Sequence, residues 1–85
     1  MRLELAYFAW VRERMGAAGE AVDLPPAVAD IAALLDWLAA RDERGAQAFA
    51  EPHRIRAAID GAMTGPDAKL AGAREVALFP PVTGG

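Results

Sequence analysis

The sequence predicts an α+β domain in which a mixed β-sheet is covered on one face by one main helix. Three observations carry that expectation. Segments near both ends and in the second half alternate apolar and polar residues with period two, as half-buried strands do. A central segment carries a single apolar stripe of helical period. Glycine, proline and Asp-Gly punctuation separates these segments. A sheet and a helix that are each apolar on one side bury both sides by packing together.

Residues Arg2 to Phe8 alternate, with Leu3, Leu5 and Tyr7 on one face and Arg2, Glu4, Ala6 and Phe8 on the other. Trp10 to Met15 is long enough for one or two helical turns, and Gly16 and Gly19 punctuate the stretch after it. Glu20 to Leu24 alternates again and stops at Pro25-Pro26, so the first two strands form a hairpin. Val28, Ile31, Leu34, Leu35 and Leu38 make the helical stripe. Asp30 then falls in the first turn and Arg41 near the end, both favourable to the helix dipole. Gly45 reads as the stop. Ala27 stands where a hydroxyl or carboxylate cap is preferred, a deficit of about 1 kcal/mol.

Ala46 to His53 reads as a connector with room for another helical turn. Arg54 to Ile59 is a third strand, with Ile55, Ala57 and Ile59 on one side, closed by the tight-turn dipeptide Asp60-Gly61. Gly65-Pro66-Asp67 and Leu70 to Arg74 are turns. Glu75 to Phe79 is the last strand, with Val76 and Leu78 inward. The expected order is β-β-α-β-β.

Length and composition limit the function. The chain has 85 residues, enough for one domain but too few to enclose a deep pocket of several hundred Å³. There is no cysteine, which excludes disulfides, thiolate metal sites and cysteine nucleophiles. His53 is the only histidine, reads as a surface residue, and cannot hold a metal alone. The acids Asp23, Asp30, Asp36 and Asp60 are dispersed, so no metal site is expected. A net charge of −3 argues against nucleic acid. No apolar run approaches the roughly 20 residues of a membrane span. Met1-Arg2-Leu3-Glu4 carries an acid at once and does not read as a signal peptide. A cytoplasmic location is the default expectation. Trp10 and Trp37 read as packing residues, and Asp42-Glu43 with Arg41 and Arg44 as a solvated helix end.

The chemistry is expected in the tail. A domain over 1–79 is followed by a flexible segment over 80–85, Pro80-Pro81-Val82-Thr83-Gly84-Gly85. The two prolines remove two backbone donors and stop the sheet. Six extended residues reach roughly 20 Å, enough to thread into another protein's active site. Gly84 and Gly85 have no side chains, so a narrow channel can close around them and a nucleotide can approach the carboxylate.

The segment Glu75-Val76-Ala77-Leu78-Phe79-Pro80-Pro81-Val82-Thr83-Gly84-Gly85 resembles the ending of the small subunits of molybdopterin synthases. The stretch from Phe8 through Arg12, Glu13 and Gly16 is similar to that family's opening FA-x-x-RE-x-x-G segment. The resemblance spans essentially the whole chain and implies a ubiquitin-like β-grasp fold. It implies that an ATP-dependent adenylating enzyme activates Gly85, which a sulfur donor converts to a thiocarboxylate. Gly84 allows passage, and Pro80, Pro81, Val82 and Thr83 dock in the channel of the large catalytic subunit. There the sulfur is delivered to cyclic pyranopterin monophosphate, with the two subunits forming a heterotetramer. The carrier itself binds no cofactor and supplies no catalytic site. Phe8 and Phe79, outward by alternation, and Met63 after the Asp60-Gly61 turn make an apolar patch beside the tail exit. The resemblance makes that patch the partner interface. Two departures stand out: Leu70 to Arg74 lacks the family's acidic DGD-type loop, and Ala27 replaces its hydroxyl cap. A thiamin-type sulfur carrier and a ubiquitin-like protein modifier share the Gly-Gly ending and stay open as alternatives.

Overall fold

A computed structural model describes residues 1–81. The chain runs β1 (Arg2–Tyr7), α1 (Ala9–Met15), β2 (Gly19–Asp23), α2 (Ile31–Arg41), α3 (Glu43–Ala48), a 3₁₀ turn (Pro52–Arg54), β3 (Arg56–Ile59), β4 (Ala62–Thr64) and β5 (Glu75–Phe79). The sheet order is β2-β1-β5-β3-β4. Among the described strands the β1–β5 pair is parallel and the other three pairs are antiparallel. The last strand therefore lies in the middle of the sheet, between β1 and β3.

The alternation in β1 and β5 holds as read: Leu3, Leu5, Tyr7, Val76 and Leu78 are buried on the side where α2 packs with Leu34 and Leu38. The sheet has five strands rather than the four expected. The extra one, β4, is three residues long, too short to display a period. It forms because Asp60 and Gly61 both take positive φ, 48° and 86°, the twist a two-residue hairpin requires.

The helix boundaries also differ from the expected ones. The cap of α2 is Asp30, not Ala27: its Oδ1 accepts a hydrogen bond from the Ala33 N–H at 2.8 Å, so no cap deficit exists. Gly45 does not stop a helix; it lies inside α3. The chain turns at Asp42, whose extended backbone ends α2 and whose Oδ1 accepts from the Gly45 N–H at 2.8 Å to start α3. Arg41, Asp42, Glu43 and Arg44 are exposed at this helix end, as expected, and Asp42 is in addition the cap of α3. Glycine is needed at 45 because a Cβ there would lie 1.8 Å from the Leu38 carbonyl oxygen.

Five core residues, Ala48 among them, come from stretches with no readable period. Phe49 and Leu70 are buried, and α1 contributes Val11 and Met15. Phe49 closes the core against the Tyr7 ring, with centroids 6.5 Å apart.

Candidate functional site: the tail exit and the uncovered sheet face

The helices cover one face of the sheet. On the other face the strand register builds three bands across the strands. The first is the row at the exit of the chain. Phe79 lies opposite Arg56 of β3. On its other side, Tyr7 pairs with Leu78 and the Phe8 N–H donates to the Leu78 carbonyl at 3.1 Å. Phe8 and Arg56 therefore flank the end of β5. The middle row is Ala6, Ala77, Ala58 and Met63, each the register partner of the next. Three half-buried alanines make a smooth floor that leads to Met63. The third row holds Glu4 opposite Glu75, both exposed.

The apolar patch expected from the sequence lies on this face. Phe8 is 51% and Met63 66% exposed, values that matter because large apolar side chains grouped on one face mark interaction sites. Phe79 points to the same side but is half-buried. Pro80 and Pro81, also half-buried, come after β5 and take the chain out of the ladder. Val82, Thr83, Gly84 and Gly85 lie outside the described residues.

Three local devices fix this face. The Asp60 carboxylate accepts from the backbone N–H groups of Arg74 and Glu75, at 3.0 and 2.9 Å through Oδ1, and so ties the β3–β4 turn to the start of β5. Ala9 takes φ 53°, a left-handed conformation that costs a non-glycine residue about 1–2 kcal/mol. It reverses the chain directly after Phe8. Trp10 lies within cation–π range of two guanidinium groups, Arg14 at 4.3 Å and Arg54 at 5.7 Å from its ring centroid, joining α1 to the 3₁₀ turn before β3.

The strongest electrostatics lie on the opposite side. Arg41 grips Glu20 through two hydrogen bonds of 2.9 and 2.8 Å, and the Tyr7 hydroxyl donates to the same carboxylate at 2.7 Å. Glu20 is held below its ordinary value, first by the Arg41 hydrogen bonds and then by Tyr7, against the opposing effect of burial. The Tyr7 hydroxyl is pushed up, first by burial and then by its bond to Glu20. This network joins β1, β2 and α2 and is structural.

An open groove of about 500 Å³ lies between α2 and the β3–β4 hairpin, with Ile31, Leu35, Ile55 and Ala57 among its lining and Asp36 and His53 at its sides. No hydrogen bond joins Asp36 to His53 among the described residues. In that same set no group of three or more acids and histidines is placed to hold a metal, and no helix is long and apolar enough to cross a membrane.

Sequence reasoning placed Phe8, Met63 and Phe79 on this face but did not bring Arg56, Glu4 and Glu75 together with them. Alternation put Glu4 and Glu75 outward; their pairing depends on β1 lying parallel to β5, a contact 71 residues apart in sequence.

A mixed sheet in this order, with the final strand at its centre and one principal helix across it, defines a ubiquitin-like β-grasp protein. The chain belongs to the ThiS family, whose model matches residues 5–85. It is 38% identical over 85 residues, 98% of this chain and 99% of the other, to the molybdopterin synthase sulfur carrier subunit of Escherichia coli (strain K12). Among solved structures, SAMP1 from Haloferax volcanii is similar over 100% of both chains, with a TM-score of 0.72 and 26% identity. A putative molybdopterin converting factor, subunit 1, from Pyrococcus furiosus has a TM-score of 0.65 at 18% identity, covering 96% of this chain and 99% of that one, and speaks for the fold alone.

Proposed function

We propose that this chain is the sulfur carrier subunit of a molybdopterin synthase. The observation that carries the reading is the 38% identity to the E. coli carrier over nearly the full length of both chains. On this reading 1–79 is a presenting domain and 80–85 the working arm.

The chemistry needs only a carboxylate that can be reached. An oxygen of the Gly85 carboxylate attacks the α-phosphorus of ATP in an adenylating enzyme, pyrophosphate leaves, and the acyl group becomes electrophilic. Sulfide, released at the sulfide oxidation level by a donor, then attacks the carbonyl carbon and AMP leaves, giving a thiocarboxylate. The carrier has no thiol that could hold a persulfide, since the chain has no cysteine. In the large subunit the thiocarboxylate sulfur bonds to a carbon of cyclic pyranopterin monophosphate in place of an oxygen substituent. Water then cleaves the bond between that sulfur and the Gly85 carbonyl carbon, restoring the Gly85 carboxylate and leaving the sulfur for the molybdenum cofactor. Pro80, Pro81, Val82 and Thr83 occupy the channel, Gly84 passes its narrowest point, and Phe8, Met63 and Phe79 seat the domain at its mouth. The carrier binds no cofactor of its own; catalysis belongs to the partner, with which it forms a heterotetramer in the cytoplasm.

A second reading is a ubiquitin-like modifier. The likeness to H. volcanii SAMP1, which matches over the whole chain at 26% identity and which a second solved structure from H. volcanii names small archaeal modifier protein 1, favours it. Intact-mass analysis after incubation with an adenylating enzyme, ATP and a sulfur donor separates the two. The expected result is the mass change of one oxygen replaced by sulfur, localised to the Gly84-Gly85 peptide. Isopeptide conjugates to lysine without that change overturn the carrier reading and establish the modifier.

A further inference from the structure

The uncovered sheet face carries a cation at the tail exit and a pair of carboxylates in the row beyond the alanine floor; past that row Arg2 stands opposite Asp23, a pair of opposite charges. At the exit of the chain, Arg56 stands opposite Phe79. Its Nη1 donates to the carbonyls of His53 at 3.0 Å and Ile55 at 3.4 Å. Those bonds hold the guanidinium to the strand end and leave its other donors open. Among the described residues no carboxylate lies within ion-pair distance of it, whereas Arg41 and Arg54 each have one. In the carboxylate row Glu4 and Glu75 are direct cross-strand neighbours, and neither has a cationic partner among the described residues. Like charges placed directly opposite destabilise a sheet, so the isolated domain gains nothing from that arrangement. Between the poles lies the alanine floor edged by Phe8 and Met63, flat and apolar enough for close approach.

We propose that this face is a polarised docking surface for the large subunit, which meets it with an acidic group at the channel mouth facing Arg56, an apolar centre over the alanines, and a basic group facing Glu4 and Glu75. The inference rests on the carrier reading above and adds the partner's chemistry to it. The polarity gives the apolar contact a direction. An apolar floor alone tolerates rotation of the partner; a base opposite Glu4 and Glu75 and an acid opposite Arg56 permit one orientation, the one that points the tail into the channel. Charges at an interface rim act mainly on encounter rate and orientation. Guanidinium groups held at a fixed angle suit a carboxylate partner in particular.

The test compares the full chain with Arg56→Glu and Glu4→Lys for association with the purified large subunit, by surface plasmon resonance at low and at high salt, with thermal melts of each free chain. Arg56→Glu is expected to slow association about tenfold at low salt, with the difference shrinking at high salt. Glu4→Lys is the sharper variant because its two readouts move apart. It replaces a repulsive pair with an attractive Lys–Glu pair, so the free chain melts at or above the wild-type temperature, while association slows about tenfold.

If the wild-type chain binds and both variants bind at its rate and salt dependence, the polarised surface is overturned and the carrier reading stands. If the wild-type chain does not bind the large subunit, both fall together. Self-association of the wild type that both variants abolish, with unchanged binding to the large subunit, overturns the proposal and assigns the face to a second copy of the chain.

Discussion

The two faces of the sheet differ in what their residues are tied to. On the helix-covered face, Tyr7, Leu34, Leu38 and Leu78 are buried. The polar groups at its border are fully engaged: Glu20 accepts from Tyr7 and from both terminal nitrogens of Arg41, and Asp42 caps α3. On the other face, Phe8 and Met63 stand in solvent and Glu4 faces Glu75, and at its border, where α1 begins, Ala9 holds a left-handed backbone. The first face satisfies the rules that make a fold stable; the second violates several at once. Violations gathered on one face, beside the end of the central strand, are what a surface shaped for a partner leaves in the free molecule.

The comparison breaks most decisively at the tail. Deleting Gly85, or adding one residue after it, is expected to abolish sulfur delivery in a precursor-conversion assay with the large subunit, at an unchanged melting temperature. Activity in either variant ends the thiocarboxylate mechanism.

Gly45→Ala tests the covered face. The added methyl meets the Leu38 carbonyl oxygen at 1.8 Å, and backbone cannot step aside as a side chain can. The junction of α2 and α3 must open, and urea denaturation is expected to show a loss of about 3 kcal/mol. A loss under about 1 kcal/mol would show that the junction is soft.

Legibility in the sequence divides along the same line. The buried faces of β1 and β5 and the stripe of α2 were legible because period two and period 3.6 are written in consecutive residues. The tail motif was legible because it is contiguous. The stripe puts Asp30 in the first turn and Ala27 at the cap because, begun at Val28, it starts before the helix does. Phe49 and Leu70 have no periodic neighbours to announce them. Arg56 beside Phe79 and Glu4 beside Glu75 exist only through strand register, which local pattern does not encode. The parts of the site that lie on one strand were readable; the parts made by pairing distant strands were not.

Glu20 makes the covered face sensitive to acid. Its pKa is lowered in the folded chain, chiefly by the Arg41 hydrogen bonds, from an ordinary value of 4.5. The unfolded chain therefore binds a proton at a higher pH than the folded one does. The stabilisation is fully present above the ordinary value and is lost as pH falls through the lowered one. Glu20→Gln is expected to lower stability near neutral pH by about 1–2 kcal/mol and to flatten its decline below an ordinary carboxylate value of about 4.5. An acid limb as steep as the wild type's would move the effect to other carboxylates.

The smallest expected effect belongs to the border of the uncovered face, where α1 begins, and has the opposite sign. Ala9 is exposed and has φ 53°, a conformation that glycine adopts without the clash of a Cβ. Relief of that clash is worth about 1–2 kcal/mol, and the extra freedom of glycine in the unfolded chain takes back about 0.5–1 kcal/mol. Ala9→Gly is therefore expected to raise stability by about 0.5–1 kcal/mol in urea denaturation. Because Ala9 directly follows Phe8, the same variant loosens the angle at which Phe8 is presented, so affinity for the large subunit should fall while stability rises. Stability and binding moving together in this variant would show that the strained turn serves the fold and not the docking face.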